Sequence, residues 1–124
     1  GGRGFTMDAI YEIGEFSGFT EYLDFDTIKI TDSGTLIVEE IQDLKEPRTT
    51  KSGKPYLSMR IRAEYDLAKH LRRTHLMQAL DDDMGGGEVV VNDERLSEWK
   101  TIPSRSNDEL KLKALEKAEE LGYW

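Results

Sequence analysis

The residues best suited to bind a ligand lie between positions 48 and 62. In the run YLSMRIRA at 56–63, a period of two places Tyr56, Arg60 and Arg62 on one face of a strand. Aromatic rings stack on nucleic-acid bases for about 1–3 kcal/mol each, and basic side chains release counterions from phosphates. The loop before this strand adds three more cations, which are Arg48, Lys51 and Lys54. The pattern predicts a basic, aromatic surface suited to single-stranded nucleic acid.

A packing interpretation of the same residues stays open. Tyr56 could pack at the rim of the fold, and Arg60 and Arg62 could pair with Glu39 and Glu40 across the sheet, as cross-strand charges do. Four later residues extend the predicted surface: Lys69, Arg72 and Arg73 on a predicted helix, and Trp99 on a predicted strand. The alternatives for these four are an exposed helical face and a tryptophan in the core or at its rim.

Charge is distributed unevenly along the chain, whose formal net charge is -8. Residues 43–75 hold nine Lys and Arg against four Asp and Glu, whereas the remainder holds eight against 21. A partner meets local charge within a Debye length of about 8 Å, so this segment favours an anionic ligand in spite of the acidic total.

Other chemistries find little support. Asp81, Asp82 and Asp83 could hold a divalent ion for a metal-dependent nuclease, but neighbouring carboxylates on a loop have no fixed geometry. His70 and His75 would lie about 140° apart on a helix and could not share a metal. No nucleophile, phosphate-binding or dinucleotide-binding motif occurs. We therefore expect no enzyme, no metal and no cofactor.

Composition bounds the class of protein. The 124 residues suffice for one domain, and the longest apolar run is far shorter than the ~20 residues of a membrane span. The chain contains no cysteine, which favours a reducing compartment. We expect a cytoplasmic protein with no membrane partner, in the host cytoplasm if the protein is viral.

The elements are predicted from periodicity and turn residues. Strands are expected at 27–31, 36–41, 56–63, 88–91 and 96–102, with a helix from Asp66 to about Leu80. Ser106 and Glu109 form a capping box for a C-terminal helix over 106–121, which ends at Gly122. Residues 1–25 form an N-terminal acidic-aromatic arm that either packs on the domain or docks on a protein partner, and residues 26–124 form one domain.

This order of elements, and the run TTKSGKPYLSMRI, resemble the OB-fold proteins that bind single-stranded nucleic acid, including small phage proteins. The resemblance implies a small α+β fold: a five-stranded antiparallel OB-like barrel or sheet, with a helix between strands three and four and a C-terminal helix. It also implies base stacking by Tyr56 and phosphate contacts by its basic neighbours.

The leading hypothesis is a non-catalytic protein that binds single-stranded nucleic acid, DNA before RNA, in replication or recombination of a phage or plasmid. The alternative is an acidic protein-interaction module or inhibitor that docks on a basic partner. A metal-dependent nuclease is the third possibility.

Overall fold

Over residues 9–124 the fold is one antiparallel sheet with one helix packed against it. The computed structural model describes residues 9–124. Within that range the strands are β1 (Ile10–Phe16), β2 (Phe19–Ile30), β3 (Leu36–Thr49), β4 (Pro55–Asp66), β5 (Leu71–Leu80), β6 (Val89–Asp93) and β7 (Lys100–Thr101), and the helix is α1 (Asn107–Glu120).

The sheet is an open meander. Strands β1 to β6 lie in chain order, each pairing antiparallel with the next, and the short β7 pairs with β5 beyond the end of β6. In the described part of the chain β1 and β6 are edges that do not meet, so the sheet does not close. The expected five-stranded OB-like barrel is therefore wrong, and the resemblance to OB-fold proteins does not extend to the topology.

The helix expected between Asp66 and Leu80 is also wrong, because residues 71–80 form β5. Asp66 Oδ1 accepts a hydrogen bond from the Lys69 backbone N–H at 3.0 Å, which is the local contact that a helix N-cap makes. Here it closes a turn instead, since His70 adopts φ 56° and the chain reverses. The β4–β5 register then shifts between Arg62 and Ala63, and this bulge changes which face the apolar residues of β5 occupy along the strand.

The segment set apart as an N-terminal arm contributes β1 and most of β2. Ser17 and Gly18 form the two-residue turn between them, and Gly18 has φ 91°, a conformation that glycine adopts without strain. Residues 1–8 of that segment lie outside the described residues. From Ile10 onward the segment belongs to the same sheet as the rest of the chain.

Several local predictions are confirmed. The hairpin around residues 31–35 joins β2 to β3, and the Ser106 hydroxyl accepts a hydrogen bond from Glu109 N–H at the start of α1. The strand expected over 96–102 is reduced to Lys100–Thr101. On the C-terminal helix Leu110 and Leu121 are exposed, whereas Lys111 is buried.

The core lies between α1 and the half of the sheet near the β2–β3 turn. Leu23, Val38 and Ala63 pack there against Leu112 and Leu115, and all five are buried. We call this side of the sheet the helix face and the other side the outer face. In residues 9–124 no helix is both long enough and apolar enough to cross a membrane.

Candidate functional site: a groove on the helix face

Helix α1 leaves the other half of the helix face uncovered, and a groove lies there. Met59, Met77 and Val91 form its floor, because the β4–β5 and β5–β6 registers bring neighbouring residues of three strands to one side. The β3–β4 hairpin tip, residues 48–54, curls over it. Residues 49–52 and Tyr56 line the resulting cavity of about 540 Å³.

The groove continues past this cavity along β5. Met77 also lines a cavity of about 360 Å³ beside the N-terminus of α1, where Asn107 and Asp108 form the wall. It lines a third cavity, of about 410 Å³, formed with Leu96 and its neighbours. We call this continuous surface the sheet groove. Its shape suits an extended segment of another molecule better than a compact small molecule.

Apolar side chains are unusually exposed along the sheet groove and the neighbouring edge. Met77 is 38% exposed, Val91 43%, Val89 45% and Leu96 57%. Contiguous exposed apolar residues rimmed by polar ones mark interaction sites, and methionine adapts its shape to a partner.

The hairpin tip supplies cations that no carboxylate neutralises. Arg48, Lys51 and Lys54 are exposed, and none of them forms an ion pair with another described residue. A tight turn fixes the position of this tip: Lys54 N–H donates to Thr50 Oγ1 at 3.0 Å, and Gly53 N–H donates to the Thr50 carbonyl at 2.9 Å. The sheet groove is therefore apolar on its floor and positive at one end.

Two of the predicted site residues, Arg60 and Arg62, lie on the outer face and take no part in the groove cavity. Arg60 donates to Glu39 at 2.6 Å, and Arg62 lies 3.7 Å from the same carboxylate. Tyr56 lines the groove cavity together with Met59, whereas neither arginine lines it. Cross-strand pairing of the arginines, the alternative raised from the sequence, is thus observed with Glu39.

Arg72 belongs to a buried charge network beneath α1. Its guanidinium donates to Glu40 at 2.7 Å, Lys111 donates to Glu40 at 3.0 Å and to Glu21 at 3.2 Å, and the Tyr65 hydroxyl donates to Glu40 as well. Burial opposes ionisation of Glu40, but Lys111 and Arg72 hold its pKa down at about 2. The network pins α1 to the sheet, and Arg72 has no free charge to offer a ligand.

The remaining predicted residues gather at the opposite end of the sheet from the hairpin tip. Arg73 stacks over the Trp99 ring with 4.3 Å between guanidinium carbon and ring centroid, and its Nε donates to Glu64 at 2.8 Å. Lys69 is exposed in the β4–β5 turn. The structure thus divides the predicted site among the groove, the outer face, the buried network and this far end.

The acidic loop has a structural role on the outer face. The Ser58 hydroxyl donates to the Asp82 carbonyl at 2.7 Å, and Met84 N–H donates to Asp43 at 2.9 Å, so the loop folds back over β4. In residues 9–124 no cluster of three or more acidic, His or Cys side chains is arranged to hold a metal ion.

Sequence reasoning missed Met77, Val91 and Lys111. The first two sit at alternate positions of strands, but Met77 was assigned to a helix and Val91 was not assigned to a face. Nothing next to Lys111 in the sequence indicated that it is buried, since a lysine inside a helix ordinarily lies on the solvent side of the helix. Its partners Glu21 and Glu40 lie on the alternating apolar faces of β2 and β3, which was an available sign of buried charge.

A match to a protein-family model identifies the family of this chain. The family model described as surface-adhesin protein E matches residues 11–115. This chain belongs to the surface-adhesin protein E family. No curated protein matches its sequence.

Solved structures agree with the protein E family assignment at the level of the fold. One structure of Haemophilus influenzae protein E has a TM-score of 0.73 and 9% identity, over 90% of this chain and 86% of that chain. The crystal structure of protein E from non-typeable Haemophilus influenzae has a TM-score of 0.75 and 9% identity, over 99% of this chain and 85% of that chain.

Membership of the protein E family corrects the functional expectations. Single-stranded nucleic acid as partner, and replication or recombination of a phage or plasmid as setting, are wrong, because the family is one of surface adhesins. The cytoplasmic expectation is also wrong, because the family is one of surface proteins. A lack of cysteine does not by itself indicate a reducing compartment. The protein is not an enzyme, which the sequence predicted and the family confirms. Of the earlier alternatives, a protein-interaction module agrees best with the family.

Proposed function

We propose that this protein is a surface adhesin that binds a protein ligand in the sheet groove. The observation that carries the proposal is the exposed floor of Met77 and Val91 beside the unpaired cations of the hairpin tip. Burying exposed apolar area gains about 25 cal/mol per Å², and complementary charge at the rim adds specificity and speeds association.

The charge of the groove indicates what kind of ligand fits. Lys51 and Lys100 line the connected cavities without ion pairs, whereas Asp93 and Asp108 are already paired, with Arg95 and Lys111. A segment of a host or matrix protein that combines apolar and acidic side chains is therefore the best match. This is the opposite charge from the basic partner considered from the sequence.

The test is binding of the labelled protein to extracellular matrix deposited by cultured epithelial cells. Reversing two charges at the hairpin tip, Lys51→Glu with Lys54→Glu, should weaken binding at least 10-fold, which is about 1.4 kcal/mol. Met77→Gln should weaken it by removing apolar contact, and the wild-type affinity should fall as salt rises.

A matched charge reversal away from the groove serves as control. Lys29→Glu with Lys113→Glu changes net charge equally on two exposed sites, so its affinity should stay within twofold of the wild type. Thermal unfolding of all variants checks that each is folded. If the wild type does not bind matrix, or if the tip and control variants bind alike, the groove is not the adhesive site.

A further inference from the structure

A fourth cavity, of about 660 Å³, lies at the end of the sheet opposite the hairpin tip. Both tryptophans of the chain, Trp99 and Trp124, line it. Its other walls come from the β2–β3 turn and the β4–β5 turn, which an antiparallel meander brings to the same end of the sheet. Arg73 lines both this cavity and the 360 Å³ cavity of the sheet groove, so the two sites adjoin there, but the tryptophans line only this one. The adhesin family assignment gives the cavity no role.

Contacts around the cavity hold both indole rings in place. Trp124 Nε1 donates to the Leu115 carbonyl at 2.8 Å, which ties this ring to α1. The Arg73 guanidinium covers one side of Trp99, and Glu64 in turn holds Arg73. Fixed rings lose little entropy when a ligand packs against them, so they are good binding platforms.

The charges at this cavity balance. The Glu64 side chain is only 4% exposed and is paired with Arg73 at 2.8 Å and with His75 at 2.7 Å. Burial opposes its ionisation, but hydrogen bonds from Thr35 and these two partners lower the pKa of Glu64. At the mouth, Asp66 and Lys69 are one acid and one base, and neither side chain forms an ion pair with another described residue.

The two fixed rings and the balanced charges of this cavity favour one class of ligand over the others. A cationic ligand would meet Lys69 and Arg73, and an anionic one would meet Asp66 and Glu64, so either charge is opposed. A purely apolar ligand would strip water from Asp66 and Lys69 without replacing their hydrogen bonds, which costs free energy. The remaining class is an uncharged ligand with one apolar face and a rim of hydroxyl groups.

We propose that the cavity of Trp99 and Trp124 binds a neutral saccharide, such as the terminal hexose of a host glycan. The C–H face of a pyranose ring packs against an indole. Its hydroxyls donate to the Asp66 carboxylate and accept from the Lys69 ammonium, and hydrogen bonds to charged groups are the stronger kind. The adhesin would then carry two separate contacts, a protein ligand in the sheet groove and a glycan at the far end.

A glycan array probed with the fluorescently labelled full chain tests the proposal. We expect the wild type to bind one or more neutral glycans. For each glycan that binds, its terminal sugar added as a free monosaccharide should change the intrinsic tryptophan fluorescence of the protein, because both tryptophans of the chain line the cavity. Lys69→Ala and Trp99→Leu should each weaken binding at least 10-fold. Asp66→Asn, which keeps an acceptor for the Lys69 backbone, should weaken it without unfolding the turn.

The hairpin-tip variant separates this proposal from the proposed function. Lys51→Glu with Lys54→Glu should bind the glycan as the wild type does while losing the protein ligand. Three results would overturn the inference: no neutral glycan bound, binding confined to sialylated or sulfated glycans, or binding that Lys69→Ala and Trp99→Leu both leave unchanged in folded protein.

Discussion

Replacing Lys111 with methionine should destabilise the fold by about 3–5 kcal/mol, the usual cost of leaving a buried charge without its partner. The Lys111 side chain is 3% exposed and lies within 3.2 Å of Glu21, Glu40 and Asp108. Methionine has nearly the same helix propensity and length, so the change removes charge and little else. Glu21 would keep only Gln42 as a hydrogen-bond partner.

Thermal unfolding measures this loss. With an unfolding entropy of about 2.1 cal/mol/K per residue, a loss of 3–5 kcal/mol lowers Tm by roughly 12–19 °C in a chain of 124 residues. Lys113→Met is the matched control, because Lys113 is on the same helix, its side chain is 67% exposed and its one ion pair is 4.0 Å long. That variant should stay within about 0.5 kcal/mol of the wild type.

The pH dependence of stability gives a second readout for Lys111→Met. Glu40 has a folded pKa of about 2 against an ordinary value of 4.5, so it contributes stability above pH ~4.5 that is lost as pH falls toward 2. That contribution is about 3 kcal/mol. Burial raises the pKa of Glu21, which acts in the opposite sense: its stabilising contribution exists at low pH and is lost as pH rises through the folded pKa.

In Lys111→Met the pKa of Glu40 should rise, and acid should destabilise the variant less than the wild type. A variant that unfolds within about 1 kcal/mol of the wild type, with the same acid profile, would refute the network as the element that holds α1 on the sheet.

Two smaller changes test other parts of the fold. Gly87 and Gly53 both have positive φ, but an added Cβ at Gly87 would clash with Asp81, whereas at Gly53 it would meet nothing within 4 Å. Urea unfolding should show a loss of about 1 kcal/mol for Gly53→Ala and about 2–4 kcal/mol for Gly87→Ala, and equal losses would contradict the close approach in the acidic loop. Tyr65→Phe removes a donor to buried Glu40 and should cost about 1.5–3 kcal/mol in the same assay, unless that hydrogen bond is absent in solution.

Local signals predicted the elements whose structure is decided locally. The turn at residues 32–34, the alternation of β4 over residues 58–65 and the Ser106 cap all depend on contacts within a few residues, and all three are confirmed. The cap differs in one detail: the Glu109 carboxylate accepts from Arg105 N–H at 3.0 Å rather than from Ser106.

The helix predicted over 66–80 failed because tertiary pairing overrode a correct local contact. Asp66 does cap the backbone of Lys69, but β4 offers a full ladder of partners to residues 71–80, and the bulge lets both Arg72 and Met77 face α1. Because residues 71–80 were predicted as a helix, the predicted sheet had one strand too few. The predicted order of strands and helices then matched that of an OB-fold.

The positions of its cations in the fold explain why this acidic protein has a basic segment. Four arginines pair with carboxylates on β3 or β4, so their charge holds the sheet and the helix together and is not available to a ligand. They are Arg60, Arg62, Arg72 and Arg73. The cations of the hairpin tip are different because their loop projects past the acidic strands. A sequence shows how many charges a segment holds, but the strand register decides which of them remain unpaired. Here the register leaves the cations of the hairpin tip beside the exposed apolar floor of the sheet groove. That juxtaposition is why the tip, and not the arginine face, is the place to test for adhesion.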